Sequence, residues 1–338
     1  MFAYIVRRVI AGLIMVIVMS LVVFALFFAS PVDPVDFSCG RNCSPTLKEQ
    51  TRKALGYDKP AYEQWTSFMG GLVNGRQFPE DPKLREAAPQ LVAECPAPCF
   101  GYSIVNAETV NDQIQEAFPV TLSLALLALV LWIIGGVSLG SIAALTKGSF
   151  IDRGLVGTSL VLYAFPTFFI GLLFLKFVSI KYGLWDKPEY ISIAEGGVGQ
   201  WLYNLFLPSL TLALVFMAAY VRMTRAFVLE AMSEDYIRTA HSKGLTRRRV
   251  LTKHTLRAAL TPLVTMAGLD FAGLMGGAII TETVFNFNGL GKLVVDANDT
   301  YDLPTMVGMV ILAATFVIVA NIVVDLLYAV IDPRVRIA

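Results

Sequence analysis

AFPVTLSLALLALVLWIIGGVSLGSIAALT, residues 117–146, contains no Asp, Glu, Lys or Arg along its whole length. A bilayer's hydrocarbon core is about 30 Å thick and takes about 20 residues of helix to cross, so this stretch is long enough to span it. Three other windows share the property, namely Val9–Val32, Gly154–Leu175 and Gly196–Val221. A fifth, Ala258–Thr281, is interrupted by Asp270, and a sixth, Leu303–Ile331, is interrupted near its end by Asp325. The chain therefore reads as an all-α polytopic membrane protein with six transmembrane helices.

Composition agrees. Of 338 residues 56% are apolar and 16% charged, against about 25% charged in a soluble domain. A net charge of +1 creates no global field for nucleic acid. Arg7 and Arg8 precede the first window as they would in a secretory signal. Its apolar run is longer than a signal core, however, and no small-x-small cleavage site precedes Pro31, so it reads as a retained first helix.

Charge placement sets the orientation, because basic residues in short loops stay on the cytoplasmic side. Arg7 and Arg8, Lys147 and Arg153, and Arg334 and Arg336 fall on one side. With them falls the segment 222–257, which holds nine Lys/Arg against three Asp/Glu. The alternate connections are acidic: 33–116 holds eight basic and twelve acidic residues, and 282–302 holds one and four. Both termini are expected in the cytoplasm. The organisation is then residues 1–32 with the first helix, a small extracytoplasmic domain over 33–116, and a five-helix core over 117–338 with its cytoplasmic loop at 222–257.

The outer segment holds every cysteine: Cys39 and Cys43 in CGRNC, Cys95 and Cys99 in CPAPC. An extracytoplasmic position favours disulfides over a four-thiolate zinc site. Three connectivities are possible. Pairing between clusters closes the longer loops and constrains the unfolded chain more, so cross-cluster pairing is the expectation. Pro45–Leu55 and Tyr62–Leu72 read as two short helices separated by Gly56 and Pro60. Five prolines between Pro79 and Pro98 predict a loop-rich second half.

The most informative polar stretch is DYIRTAHSKGLTRRRVLTKHTLRAALTP, residues 235–262. Tyr236–Ser242 is a candidate short helix stopped by Gly244, and Thr246 is placed to cap a second carrying Arg247–Arg249. Taken alone, such a loop need do no more than satisfy the positive-inside rule. Its spacing, Arg238-Thr239-Ala240-x3-Gly244-x9-His254-x-Leu256-Arg257, resembles the E-A-A-x3-G-x9-I-x-L-P loop by which permeases of ATP-binding-cassette importers engage their ATPase. Arg238, His254 and Arg257 depart from the general pattern, while RTAxxKGL is the form of the peptide-importer branch.

The resemblance extends along the chain. YIVRRVI (4–10), ALGYDKPAYEQW (54–65), FGYS (100–103) and FPVTL (118–122) resemble the B-type permease subunit of dipeptide, oligopeptide and nickel importers. So do GGAIITETVFNFNGLGKLVVDANDTYDLP (276–304) and NIVVDLLYAVIDPRVR (321–336), through Glu282, Phe285, Gly289, Gly291, Asp302, Pro304, Asn321, Asp325, Tyr328, Asp332, Pro333 and Arg334. Asn288 stands where Pro is common, and about twenty residues around Gln77–Pro98 look inserted.

The resemblance implies the type I importer permease fold in a bacterial inner membrane. It also implies coupling through Arg238, Thr239, Ala240, Gly244 and Leu245. The implied partners are a second, homologous permease forming a heterodimer, two ATPase subunits that carry ATP and Mg, and an extracytoplasmic substrate-binding protein. The implied substrate is a peptide, with nickel among the family's other solutes. Membrane lipid is the solvent, and no nucleic acid is involved.

GLGK at 289–292 is no phosphate loop, since Asn286 and Leu293 stand where Gly and Ser/Thr are required. No nucleophile or metal constellation is visible, so no catalytic residue, metal or cofactor is expected in this chain. Asp270 within a span is expensive; it faces the translocation path, bonds a neighbouring helix, or stays protonated. Glu282 is a second candidate for the path. Asn321, Asp325 and Tyr328 share one helix face and read as a polar packing seam. Pro166 reads as a kink, and Gly273, Gly276 and Gly277 as close-packing positions. The rival class is a secondary transporter or channel working without ATP, which would need interrupted repeats or a pore-lining charge ring.

Overall fold

The computed structural model describes residues 2–29, 35 and 44–331. Its first half contains α1 (Phe2–Ala29), α2 (Pro45–Ala54), α3 (Ala61–Asn74), β1 (Arg76–Phe78), α4 (Pro82–Ala87), β2 (Ala93–Cys95), β3 (Tyr102–Ser103), β4 (Glu108–Thr109) and α5 (Val110–Leu145). Next come α6 (Phe150–Ala164), α7 (Thr167–Leu173), α8 (Ile193–Ser233), α9 (Asp235–Ser242) and α10 (Arg247–Val250). The chain closes with α11 (Leu256–Met275), α12 (Ile279–Phe285), α13 (Leu290–Asp299) and α14 (Leu303–Ile331).

Among the described residues five helical stretches are long and apolar enough to cross a membrane, and the pair around Pro166 makes a sixth when read as one broken span. The protein is a helical multi-pass membrane protein, as the apolar windows indicated. Three boundaries differ from the hydropathy reading. The third span is not straight: its two pieces, Phe150–Ala164 and Thr167–Lys181, meet at 98°. Proline disfavours helix in the residue before it, and Phe165 is accordingly extended at ψ 133°. The fourth continues past Val221 to Ser233, so the first part of the 222–257 segment is helix rather than loop. The fifth stops at Met275, leaving Thr281 and Glu282 in a separate short helix. Gly277 explains that stop: its φ is +117°, and a Cβ there would collide with the backbone of Gly291.

Two compact units are distinguished. One comprises the described residues up to Thr121 with 275–279 and 288–319. Here α1 lies on α3, burying Val23 and Phe68 with Val307 and Ile311 of α14. Trp65 donates its indole N–H to Ser20 Oγ at 3.0 Å. Ser44 caps α2 by accepting from the Leu47 amide, with Pro45 opening the first turn. The two helices expected at 45–55 and 62–72 are present. The proline-rich stretch after them is more ordered than a run of loops, because β1 and β2 pair antiparallel with Arg76 opposite Cys95 and Phe78 opposite Ala93.

The disulfide corrects the cross-cluster expectation, for Cys95 is bonded to Cys99, four residues away. Loop-closure entropy measures how much a bridge stabilises, but proximity selects the partner. Pro96–Pro98 reverse the chain, and the Cys99 amide is held by the Gly71 carbonyl at 3.1 Å. The two Cα atoms are thereby left 5.4 Å apart, in the ordinary range for a bridge. Both sulfurs are buried with Phe78. Cys39 and Cys43 lie outside the described residues.

The other unit comprises 122–274, 280–287 and the described residues from Ala320. Within it α5 lies directly on α8. Cβ atoms added at Gly136 and Gly140 would lie 2.5 Å from Tyr220 Cβ and 2.6 Å from Thr224 Cβ. These glycines, continued by Ala144 against Val228 and Ala259, form a small-residue seam that lets membrane helices touch.

Candidate coupling elbow and intramembrane charges

Glu234 is the only residue between the end of α8 at Ser233 and the start of α9. On the far side, α10 passes through a π-helical turn, Leu251–Thr255, directly into α11. The elbow formed by α9 and α10 is therefore joined without slack to two of the membrane helices.

Its bend has a defined hydrogen-bond pattern. Gly244 sits at φ +76°, and its amide donates to the His241 carbonyl at 2.9 Å while the Leu245 amide donates to the Ala240 carbonyl at 3.3 Å. Together these make the Schellman closure, which requires a left-handed residue after the helix and usually brings an apolar contact across it. That contact is present: Ile237, Ala240 and Val250 are buried together and Leu245 packs on them. The short helix, its glycine stop and the start of the second helix after Thr246 thus stand where the sequence placed them.

The coupling candidates divide by direction. Ala240 and Leu245 face the elbow's own core, so the small side chain of Ala240 brings α9 close to α10. Arg238 and Thr239 face outward together with His241, Lys243, Arg248 and Arg249. Arg238 is 77% exposed and lies 3.5 Å from Asp235 one turn earlier, a solvated pair that contributes little to stability. The outer surface of the elbow is basic and free of large apolar side chains apart from Tyr236, which is 43% exposed.

Two polar contacts that the sequence did not reveal lock the helices behind the elbow. Arg225 of α8 donates to Asp152 of α6 twice, Nε to Oδ1 at 2.6 Å and an η nitrogen to Oδ2 at 2.8 Å. The Gly148 amide adds a third bond to Oδ2 at 2.9 Å. Such a forked pair is the strong form of ion pair, and it explains how α8 remains helical past Val221. Tyr220 donates its phenol to Asp270 Oδ2 of α11 at 2.6 Å, with Trp132 of α5 tilted against the Tyr220 ring. Of the three fates considered for Asp270, a bond to a neighbouring helix is present.

Glu282 is fully buried in α12, and its carbonyl accepts the Phe287 amide at 2.8 Å. The early end of α11 at Met275 places it in this separate short helix rather than in the fifth span. Asn321 is exposed on α14, while the side chains of Asp325 and Tyr328 lie outside the described residues. Pro166 does mark a bend, and Gly277 a close approach, whereas a Cβ on Gly273 would meet open space. GLGK forms the first turn of α13. Its Leu290 amide is taken by Thr121 Oγ1 at 2.8 Å, and Lys292 donates to Asn288 at 2.7 Å.

The family described as binding-protein-dependent transport system inner membrane component matches residues 136–337, and its N-terminal companion matches 1–125. The chain belongs to that permease family. Among the permease's relatives, the di/tripeptide transport system permease protein DppB of Pseudomonas aeruginosa is 34% identical over 337 residues, covering 94% of each chain. The dipeptide transport system permease protein DppB of Escherichia coli is 33% identical over 340 residues, again covering 94% of each. The oligopeptide transport system permease protein AppB of Bacillus subtilis is 32% identical, covering 99% of the permease and all of that protein. In fold the permease resembles the inward-facing MetNI methionine ABC transporter, with a TM-score of 0.52 at 15% identity over 66% of this chain and 97% of that one.

Proposed function

We propose that this permease is the membrane-spanning subunit of an ATP-driven peptide importer, and that it receives mechanical work through the α9–α10 elbow. The observation that carries the reading is the elbow itself: a closed Schellman bend with its own apolar core, a basic outer face, and no slack to α8 or α11. A rigid lever so attached transmits a push to two spans at once. Its cations suit acidic side chains on a partner. The peptide substrate follows from relatives that share a third of the sequence over nearly the whole length and are named as peptide permeases.

The bias of basic residues supports a cytoplasmic elbow, with both termini on that side of a bacterial inner membrane. ATP and Mg belong to two separate ATPase subunits, and this chain performs no hydrolysis. A second, homologous permease completes the path, and an extracytoplasmic binding protein delivers the peptide. ATP binding closes the ATPases, the elbow moves with them, and access alternates between the two sides. Asp270 has one carboxylate oxygen held by Tyr220, a bond that ties α8 to α11. Glu282, being buried, serves packing.

Reconstitution of the permease with its partners in liposomes tests this reading. Uptake should require ATP, the ATPases and the binding protein. Active transport by this chain alone would replace the reading with that of a secondary transporter.

A further inference from the structure

Arg222 lies three residues before Arg225 on α8, yet its surroundings are of a different kind. Arg225 is neutralised by the forked pair with Asp152. Among the described residues no carboxylate pairs with Arg222, and its buried Nε has no hydrogen-bond acceptor. Its guanidinium carbon stands 4.7 Å from the ring centroid of Tyr163 on α6.

The direction of the side chain follows from helix geometry. Asp152 meets Arg225 and Tyr163 meets Arg222, so α6 and α8 run antiparallel. Tyr163 lies about 16 Å along α6 from Asp152. Side chains lean toward the N-terminus of their own helix, which brings the Tyr163 ring and the Arg222 guanidinium toward each other from opposite directions. Arg222 therefore reaches into the span, away from the basic elbow with which its sequence position groups it. A long cation that merely anchored a helix end would snorkel the other way.

We infer that Arg222 is a recognition site inside the membrane part for the carboxylate of the transported peptide. Tyr163 covers one face of the guanidinium by cation–π contact, leaving the in-plane N–H edge for a planar, two-oxygen anion. The ring is itself 54% exposed, so the pair borders the outside of this chain rather than its core. An intramembrane charge of this kind is a functional position by default, because a cation inside a span is costly and a cation–π contact returns only part of that cost. The inference rests on the peptide-importer reading and adds to it the group that meets the substrate's negative end.

The test uses the complete importer in liposomes, with a peptide and its C-terminal amide at saturating concentration. Arg222→Gln should lower the maximal uptake of the free-carboxylate peptide about ten-fold. Half-saturation, ATPase turnover without substrate and Tm of the complex should stay unchanged, and Arg222→Lys should restore part of the rate. The amide should be moved by variant and wild type at equal rates. Equal losses for acid and amide, unchanged uptake of the acid, or a loss that accompanies a lowered Tm would overturn the assignment, the last pointing to an ion pair between subunits. A loss confined to vesicles rich in anionic lipid would overturn it in favour of a headgroup phosphate. Absence of ATP-driven uptake by the wild-type complex would instead reject the importer reading itself.

Discussion

Arg225 grips Asp152 through two nitrogens, 2.6 and 2.8 Å from the two carboxylate oxygens, and so ties α8 to α6 where hydropathy would have ended the span. The Asp152 side chain is 5% exposed and that of Arg225 28%. Removing one partner leaves the other charge without its counter-ion, and the partial exposure of Arg225 softens that loss. Asp152→Asn and Arg225→Gln should each lower the Tm of the purified protein, and the double variant should lower it little further. Additive losses in that double-mutant cycle would show that the two residues act independently.

Gly244 is the residue on which the elbow turns. At φ +76° with open space around it, any other residue fits sterically but strains the backbone by about 1–2 kcal/mol. Gly244→Trp should leave the spans folded, as judged by circular dichroism and Tm, while peptide uptake per ATP hydrolysed collapses. Normal uptake by that variant would remove Gly244 from the coupling path.

The Cys95–Cys99 bridge closes a loop so short that its entropic contribution is about 2 kcal/mol. Non-reducing peptide mapping should recover both residues in one bridged peptide. Recovery of Cys95 joined to Cys39 or Cys43 would restore the cross-cluster arrangement.

Asp302 is buried and accepts from Ser103 at 2.6 Å and from Thr305 at 2.7 Å, on a single oxygen. Burial pushes its carboxyl above the usual range, and the two hydroxyls oppose that shift. A raised folded pKa favours the fold most at pH below the unfolded value, about 4, and that contribution disappears as pH rises through the folded value. At neutral pH the charge is therefore a cost. Asp302→Asn should raise Tm at pH 7.5, and the gain should shrink as pH falls toward 4. A gain that grew on acidification would reverse the assigned sign.

Much of this architecture was legible because its causes are local. Uninterrupted apolar windows locate spans, and a glycine followed by Thr246 locates a bend, without knowledge of what packs beside them. The third span's right-angle turn at Pro166 was legible as a kink but not in size, since the angle depends on what the following piece packs against, such as Gly171 on Thr211, Val284 and Phe285. The extension of α8 to Ser233 was hidden because Arg222 and Arg225 look like loop cations until Asp152 and Tyr163 are seen opposite them. Asp270 was flagged by its cost in lipid, yet its partner Tyr220 lies fifty residues away in sequence and on another helix. The seam of Gly136, Gly140 and Ala144 carries a readable signal, small residues every fourth position, that a long apolar run masks.

In the proposed mechanism the outward face of the elbow docks on a separate ATPase. Thr239 is exposed on that face, and its hydroxyl is turned back to the Asp235 carbonyl at 3.0 Å, so replacing it disturbs little. A photo-crosslinking residue at 239 in the assembled importer is predicted to form an adduct with the ATPase subunit, while the same probe at Val264 on α11 is predicted not to. Absence of an ATPase adduct from position 239 in a complex that transports peptide would contradict the claim.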